Sequence, residues 1–263
     1  MPYLLDHGWE NERARLATLA RALDPETTRC LDTLGVAAGW QCLEVGGGGG
    51  SIAQWLCRRV GPLGRVVATD LETAFLEAID EPNLEVRRHD IAADELETDT
   101  FDLVHCRAVL EHLPPPARHA AIERMIAALK PGGWLLAEDG DTATFLPASP
   151  HGAELFVRCV HQFEAFIIAN GGAPHYGRRL RAELLDHGLS EVTLKGFLFE
   201  WGGDLPQTAI WLYNYQRMRE RVVAAGLLSN DEVDAFLTLI ETPNFRAFSP
   251  TLVTAWGQKQ LHA

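Results

Sequence analysis

The strand-like run Cys42-Leu43-Glu44-Val45 leads without a break into five glycines, Gly46 to Gly50, and then into Ser51-Ile52-Ala53, which starts a helix. Glycines let the backbone take positive φ and let a ligand approach with no Cβ in the way. The helix start beyond them presents free N–H groups and a partial positive charge. A strand-glycine-helix unit of this kind holds nucleotide-like ligands at the carboxyl ends of a doubly wound sheet. Two acids follow at matching places. Asp70 ends the run Arg65-Val66-Val67-Ala68-Thr69, about 20 residues past the glycines, where a ribose diol would be held. Asp90 ends Leu84–His89, where its carboxylate can accept from an exocyclic amine while Ile91 packs on a purine face. Glu44 adds a carboxylate beside the loop, which suits a cationic ligand better than a pyrophosphate. No Gly-Lys-Ser/Thr follows, so a phosphate loop of the P-loop kind is excluded. Gly46-x-Gly48-x-x-Ser51 nearly fits a dinucleotide pattern, and a nicotinamide dehydrogenase stays open as a minor reading.

These residues need elements to place them. Short apolar runs at 41–45, 65–69, 84–88, 101–106 and 134–137 read as strands. Ser51–Val60, Leu71–Ile79 and Ala117–Leu129 read as the helices between them. Such alternation implies βαβ crossovers and a buried parallel sheet. Two helices are expected ahead of it. One spans about Glu10 to Leu23; the next has Asp24 as N-cap, Pro25 at its first position and Gly35 as its stop. Beyond Asp141 the texture changes. Helices are expected at 153–169, 178–187, 206–225 and 230–240, with a β-like segment at 191–201 and a last strand at 251–257. Of the 22 aromatic residues, 15 lie beyond residue 140, which suggests an apolar cap over something bound.

The chain has 263 residues, 47% hydrophobic, with 36 acids against 23 bases and a net charge of -13. The apolar fraction excludes wholesale disorder, and the length suits one elaborated domain with a cap. No uninterrupted apolar stretch reaches the roughly 18 residues of a membrane span. The first residues lack a basic region followed by an apolar run, so a signal peptide is not expected. An acidic chain without a basic stripe is a poor phosphate-backbone binder. Five widely spaced cysteines, Cys30, Cys42, Cys57, Cys106 and Cys159, form no Cys-x-x-Cys pair. They read as buried reduced thiols, and no structural metal is expected. The predicted location is the cytoplasm, and 20 arginines against 3 lysines hint at a GC-rich bacterial genome.

In this order the pieces resemble the class I S-adenosylmethionine-dependent methyltransferases. The matching pieces are Leu43–Gly50, Asp70, Asp90-Ile91 and Phe101–Arg107, then Val109-Leu110-Glu111-His112-Leu113 and Leu129–Leu136. They span residues 40–140 and are nearer to the small-molecule subgroup of quinone and natural-product biosynthesis. The resemblance implies a Rossmann-like α/β fold. Its seven-stranded, mostly parallel sheet would have the last strand antiparallel, helices ahead of it, and a helical cap inserted between the last two strands. It divides the chain into a helical lid (1–36), a cofactor-binding core (37–140) and a remainder carrying the substrate cap (141–263). It also implies roles. Gly46, Gly47 and Gly48 would lie against the methionine moiety of S-adenosylmethionine, and Glu44 would shape that end. Asp70 would hold the ribose, with Leu71 beside the adenine. Asp90 would face the adenine amine, with Ile91 nearby. Cys106 and Arg107 would lie near the methionine amine and the methyl group. The opening segment with Tyr3, Trp9 and Arg13 would fold over the cofactor. An Asn-Pro-Pro-Tyr signature is lacking, which counts against DNA, RNA or protein amides as acceptors.

Methyl transfer from a sulfonium needs mainly alignment, and a base is needed only when the acceptor must lose a proton. The catalytic group is therefore left unknown. Candidates are His112, beside Glu111; His161, three residues before Glu164; and His175 and Tyr176, in a Gly/Pro-rich loop. Trp211 and Tyr215 share a helical face, Trp211 expected in the core. The expected reaction moves a methyl group to O, N or an activated C of a small, largely apolar or aromatic metabolite, leaving S-adenosylhomocysteine. The alternative is an enzyme of this fold that binds S-adenosylmethionine without transferring its methyl group. A non-enzymatic binding module is a further reading, opposed by the complete cofactor set. No nucleic acid or membrane partner is expected; a homodimer is open.

Overall fold

The computed structural model describes residues 10–261; the expected lid residues Tyr3 and Trp9 lie outside them. The order of elements is α1 (Glu12–Leu34), β1 (Gln41–Val45), α2 (Ser51–Val60), β2 (Arg65–Asp70), β3 (Leu84–Arg88), β4 (Phe101–Arg107), α3 (Pro115–Ala128) and β5 (Leu129–Asp141). Then come α4 (Ala153–Ala169), α5 (Leu180–Asp186), β6 (Ser190–Phe197), β7 (Glu200–Trp201), α6 (Thr208–Ala224), α7 (Asn230–Glu241), β8 (Ala247–Phe248) and β9 (Thr251–Gln258). Seven strands form one sheet in the order β3-β2-β1-β4-β5-β9-β6. β1 pairs in parallel with β2 and β4, and β9 runs antiparallel to both β5 and β6. The Rossmann-like sheet is therefore as expected, antiparallel last strand included.

Side chains alternate across a strand, and here both faces are apolar. Cys42, Val66, Leu103 and Leu136 join one buried layer with Leu31, Ile52 and Leu56 of α1 and α2. Leu43, Val67, Val104 and Leu135 join the other with Ile122, Met125 and Leu180 of α3 and α5. Covering both faces is what a parallel sheet requires. A third apolar cluster, in which Phe156, Trp201, Phe236 and Phe245 are central, belongs to the cap. α6 and α7 reach it from between the last two strands; α4, from ahead of β6, joins them. The five cysteines are all buried and free.

Four local expectations need correction. The two opening helices are one, with Pro25 inside α1. Proline removes a helix hydrogen bond at a cost of about 3 kcal/mol, here offset by the burial of Leu23, Thr27, Cys30 and Leu31. Leu71–Ile79 is not a helix but a set of turns: Asp70 Oδ1 accepts from Glu72 N at 3.1 Å, and Leu76 is fully buried. The 191–201 segment divides, since Trp201 leaves the sheet to pair with Ala247 in the cap. β5 is longer than expected, taking in Lys130-Pro131-Gly132-Gly133 at its start. Among the described residues no helix is long and apolar enough to cross a membrane.

Candidate active site

A cavity of ≈ 870 Å³ opens at the carboxyl ends of β1, β2 and β4, between the sheet and the cap. That volume is near the upper end for one small ligand, about 300–1,000 Å³, and leaves room for two molecules. The glycine loop forms its floor. Gly46, Gly48 and Gly50 have φ of 69°, 52° and 80°, the left-handed region that side chains rarely take. A Cβ on Gly46 would stand 2.5 Å from Val109 Cγ2. The N–H groups of Gly46 and Gly47 donate to Thr69 O at 2.8 and 2.9 Å, folding the loop back over β2. Above it, α1 crosses close by: a Cβ on Gly49 would meet Leu16 Cβ at 3.3 Å, and Arg13 stacks over Phe75, 4.6 Å from the ring centre.

Glu44, Asp70 and Asp90 line this one cavity with the glycines. Asp70 Oδ2 accepts from Gly48 N at 2.8 Å, tying the strand end to the loop. Asp90 Oδ1 accepts from Ala92 N at 2.9 Å. Leu71 and Ile91 line the same end, Leu71 exposed and Ile91 buried. The cavity thus offers open backbone at the glycines and a carboxylate at three successive strand ends. These features fit the methionine, ribose and adenine parts of S-adenosylmethionine.

Beneath the floor lies a buried polar chain that the sequence analysis did not single out. Glu44 Oε2 accepts from His105 Nδ1 at 2.6 Å, and His105 Nε2 faces Glu138 Oε2 at 3.3 Å. Glu138 also accepts from Thr27 and Thr254 hydroxyls, both at 2.6 Å. Burial alone would lower the His105 pKa, but the two carboxylates push it up to about 9. His105 is thus an imidazolium between two carboxylates at neutral pH, and Glu138 is held below the ordinary carboxylate range by it. The signal was a histidine within the buried stretch Leu103–Cys106, registered opposite Glu44. Ala108, next on the chain after β4, has φ of +54° and lines the cavity. Strain of this kind persists where surrounding structure enforces it, often at functional sites.

Other expected residues fall differently. Cys106 points into the apolar layer on the far face of the sheet, because strand alternation turns it opposite to His105 and Arg107. Arg107 does line the cavity, but its guanidinium is bound to Asp24 and Thr27 of α1, each at 2.8 Å. Tyr176 is fully buried under the Arg118 guanidinium, 4.1 Å from its ring centre, and does not reach the cavity. His161 is exposed on the outer side of α4. His112 lines the cavity, 3.6 Å from Glu111 Oε1. Burial lowers its pKa, so it is neutral at pH 7. His175 is largely exposed and bonds Thr142 Oγ1 at 2.9 Å. Trp211 and Tyr215 both belong to the cap and both line the cavity.

The cap side of the cavity is aromatic. Phe145 and Trp211 have ring centres 4.5 Å apart, and Phe163 meets Tyr215 edge-on at 4.1 Å. Its polar groups are few, chiefly Glu164, Thr142 and Asn214.

Among known proteins, residues 42–133 match a family model described as a methyltransferase domain. The chain is 31% identical over 161 residues to methyltransferase str2 of Strobilurus tenacellus, covering 58% of this chain and 54% of that protein. It is 33% identical over 138 residues to a ubiquinone biosynthesis O-methyltransferase of Paraburkholderia phytofirmans, covering 50% and 57%. The chain thus spans about half the length of the curated relatives it matches. Geranyl diphosphate C-methyltransferase of Streptomyces coelicolor, solved with Mg2+, geranyl diphosphate and S-adenosyl-L-homocysteine, superposes with a TM-score of 0.54. It is 17% identical and covers 98% of this chain and 84% of its own. The Rossmann-like fold is thus shared with that methyltransferase.

Proposed function

We propose that this protein is an S-adenosylmethionine-dependent methyltransferase acting on a small, largely apolar metabolite. The observation that carries this reading is one cavity with two unlike walls: glycine backbone with Glu44, Asp70 and Asp90 on one side, aromatic cap on the other. When bound, the sulfonium supplies the electrophile and leaves as a neutral thioether. The chain's own residues hold and orient. Asp70 would accept from the ribose hydroxyls, Asp90 from the adenine amine, and Glu44 would set the negative potential beside the methionine ammonium. The Gly46–Gly48 backbone would let that moiety lie flat against the loop. α1, from Arg13 to Leu16, would serve as the described part of a lid over residues 37–140, and the cap would choose the acceptor and exclude water. Holding donor and acceptor in line can supply about 7–11 kcal/mol of the barrier.

Two relatives are named for methyl transfer, one of them in ubiquinone biosynthesis, which supports a place in small-molecule biosynthesis. Five buried free thiols support a reducing compartment, the bacterial cytoplasm in our reading. Calorimetry with S-adenosylhomocysteine, followed by transfer of methyl label from S-adenosylmethionine to an apolar acceptor, tests the proposal. Absence of binding heat at high micromolar ligand would overturn it.

A further inference from the structure

Three side chains from separate segments form a continuous line from the cavity to the protein surface. Glu164, on α4, lines the cavity. Its Oε1 accepts from the Thr142 hydroxyl, just past the end of β5. Thr142 Oγ1 lies 2.9 Å from His175 Nδ1, and the His175 side chain is 46% exposed. Thr142 is fixed by its backbone, whose N–H donates to Pro174 O at 3.0 Å. Among the described residues, the charged group beside the His175 ring is Asp141, whose Oδ1 is 3.6 Å from Nδ1. That carboxylate is held by two bonds from Arg178, each 2.6 Å. On the cavity side, Glu164 stands among Phe163, Ile167 and Tyr215, an apolar setting where a carboxylate is a strong acceptor for an acceptor's hydroxyl.

We propose that Glu164, Thr142 and His175 are a proton relay, with Glu164 the catalytic base and the other two positioning residues that return its proton to water. The inference rests on the methyltransferase reading and narrows its acceptor to a hydroxyl-bearing apolar molecule. A neutral amine attacks without first losing a proton and has no need of a base, whereas a hydroxyl does. As the acceptor oxygen forms its bond to the methyl carbon, the carbon–sulfur bond breaks with its electron pair going to sulfur, and the hydroxyl proton passes to Glu164. Glu164 then donates to Thr142 Oγ1 while the Thr142 hydroxyl, which donates to Glu164 at rest, turns its own proton to Nδ1 of the Nε2-protonated His175 ring. The resulting imidazolium releases its Nε2 proton to solvent, and proton exchange with water at the exposed ring restores the Nε2-protonated tautomer for the next turnover.

Methyl-labelled S-adenosylmethionine, offered with para-alkyl phenols and the matching anilines, tests the relay. Phenols should be labelled in preference to anilines, and any label on anilines should not depend on Glu164. Glu164→Gln should lower the phenol rate by roughly 100-fold or more. Thr142→Val and His175→Gln should lower it about tenfold near neutrality, with recovery at alkaline pH, where hydroxide takes over. Anilines labelled in preference to phenols, neither series labelled, or unchanged pH profiles in the variants would overturn the inference. Calorimetry with S-adenosylhomocysteine separates the two claims: wild type and all three variants should bind it alike. Failure of the wild type to bind overturns the methyltransferase reading itself, and the relay with it.

Discussion

The two walls of the cavity are built on opposite physical terms. The cofactor wall consists of strand ends and a glycine loop, stiffened from below by charge: Glu44, His105 and Glu138 are buried in the sheet and bonded to one another. The cap wall consists of rings. Its core has Phe156, Trp201, Tyr215, Phe236 and Phe245 packed together. A buried ionic chain allows one geometry and is costly to break; an aromatic cluster tolerates rearrangement at similar volume. In the proposed function, the first suits a common cofactor and the second a particular acceptor. This difference is open to attack at four strengths.

The largest effect should come from the ionic chain. His105→Leu leaves Glu44 and Glu138 buried without their shared cation, and should cost roughly 3–5 kcal/mol of stability, read by urea unfolding at pH 7. The same chain sets a pH dependence. The folded His105 pKa of about 9 is above the ordinary 6.5, so its contribution is fully present below pH 6.5 and is lost as pH rises through 9. Unfolding midpoints should therefore fall over that window in the wild type, and much less in His105→Leu. A flat wild-type profile from pH 6.5 to 9 would mean that the histidine is neutral in the fold.

Next comes the loop. Gly46→Val places a β-branched residue at φ 69°, with its Cβ 2.5 Å from Val109 Cγ2. Strain of about 1–3 kcal/mol is expected there, in addition to the volume added beside the ligand. S-adenosylhomocysteine affinity should drop by roughly 30–100-fold with little change in far-UV circular dichroism; near wild-type affinity would show that the ligand does not lie on this loop. A smaller effect, about tenfold, is expected of Asp70→Asn, which keeps the shape but removes the charge from an accepted hydrogen bond. Calorimetry with adenosine beside S-adenosylhomocysteine locates the loss: both should weaken equally if Asp70 holds the ribose.

How much of this could be read from the chain follows the same division. Gly46–Gly50, Asp70 and Asp90 were legible because each is local, a strand end followed by a turn with its own residue signature. The sheet was legible for the same reason, strand by strand. His105 was not, because its meaning depends on Glu44 and Glu138, which lie 61 and 33 residues away along the chain and meet it only across β1, β4 and β5. Cys106 was placed one residue off the mark, since a cofactor-facing strand end still alternates. Pro25 looked like a helix start, and only the packing of α1 on the sheet lets the helix run through it. In the cap, Glu164 was paired with His161 by helical spacing, yet its partner in space is Thr142, 22 residues away. Local patterns find elements; the groups that act together in the cap come from insertions with no such pattern.

The smallest effect on the cofactor should come from the cap, and it is the most telling for the comparison. Phe163→Leu removes the edge-on contact with Tyr215 at 4.1 Å, worth about 1 kcal/mol, while keeping an apolar side chain in the wall. The unfolding midpoint should fall accordingly, and S-adenosylhomocysteine affinity should stay within about twofold of wild type. Phe163 belongs to the cap's apolar cluster, whereas the glycine loop is supported by Thr69 O, Asp70 and the chain through His105. If the affinity instead fell tenfold, the aromatic cluster would be bearing on the cofactor wall through the shared cavity. The two walls would then be one cooperative unit, and a change of acceptor specificity by cap substitutions would carry a loss of cofactor binding with it.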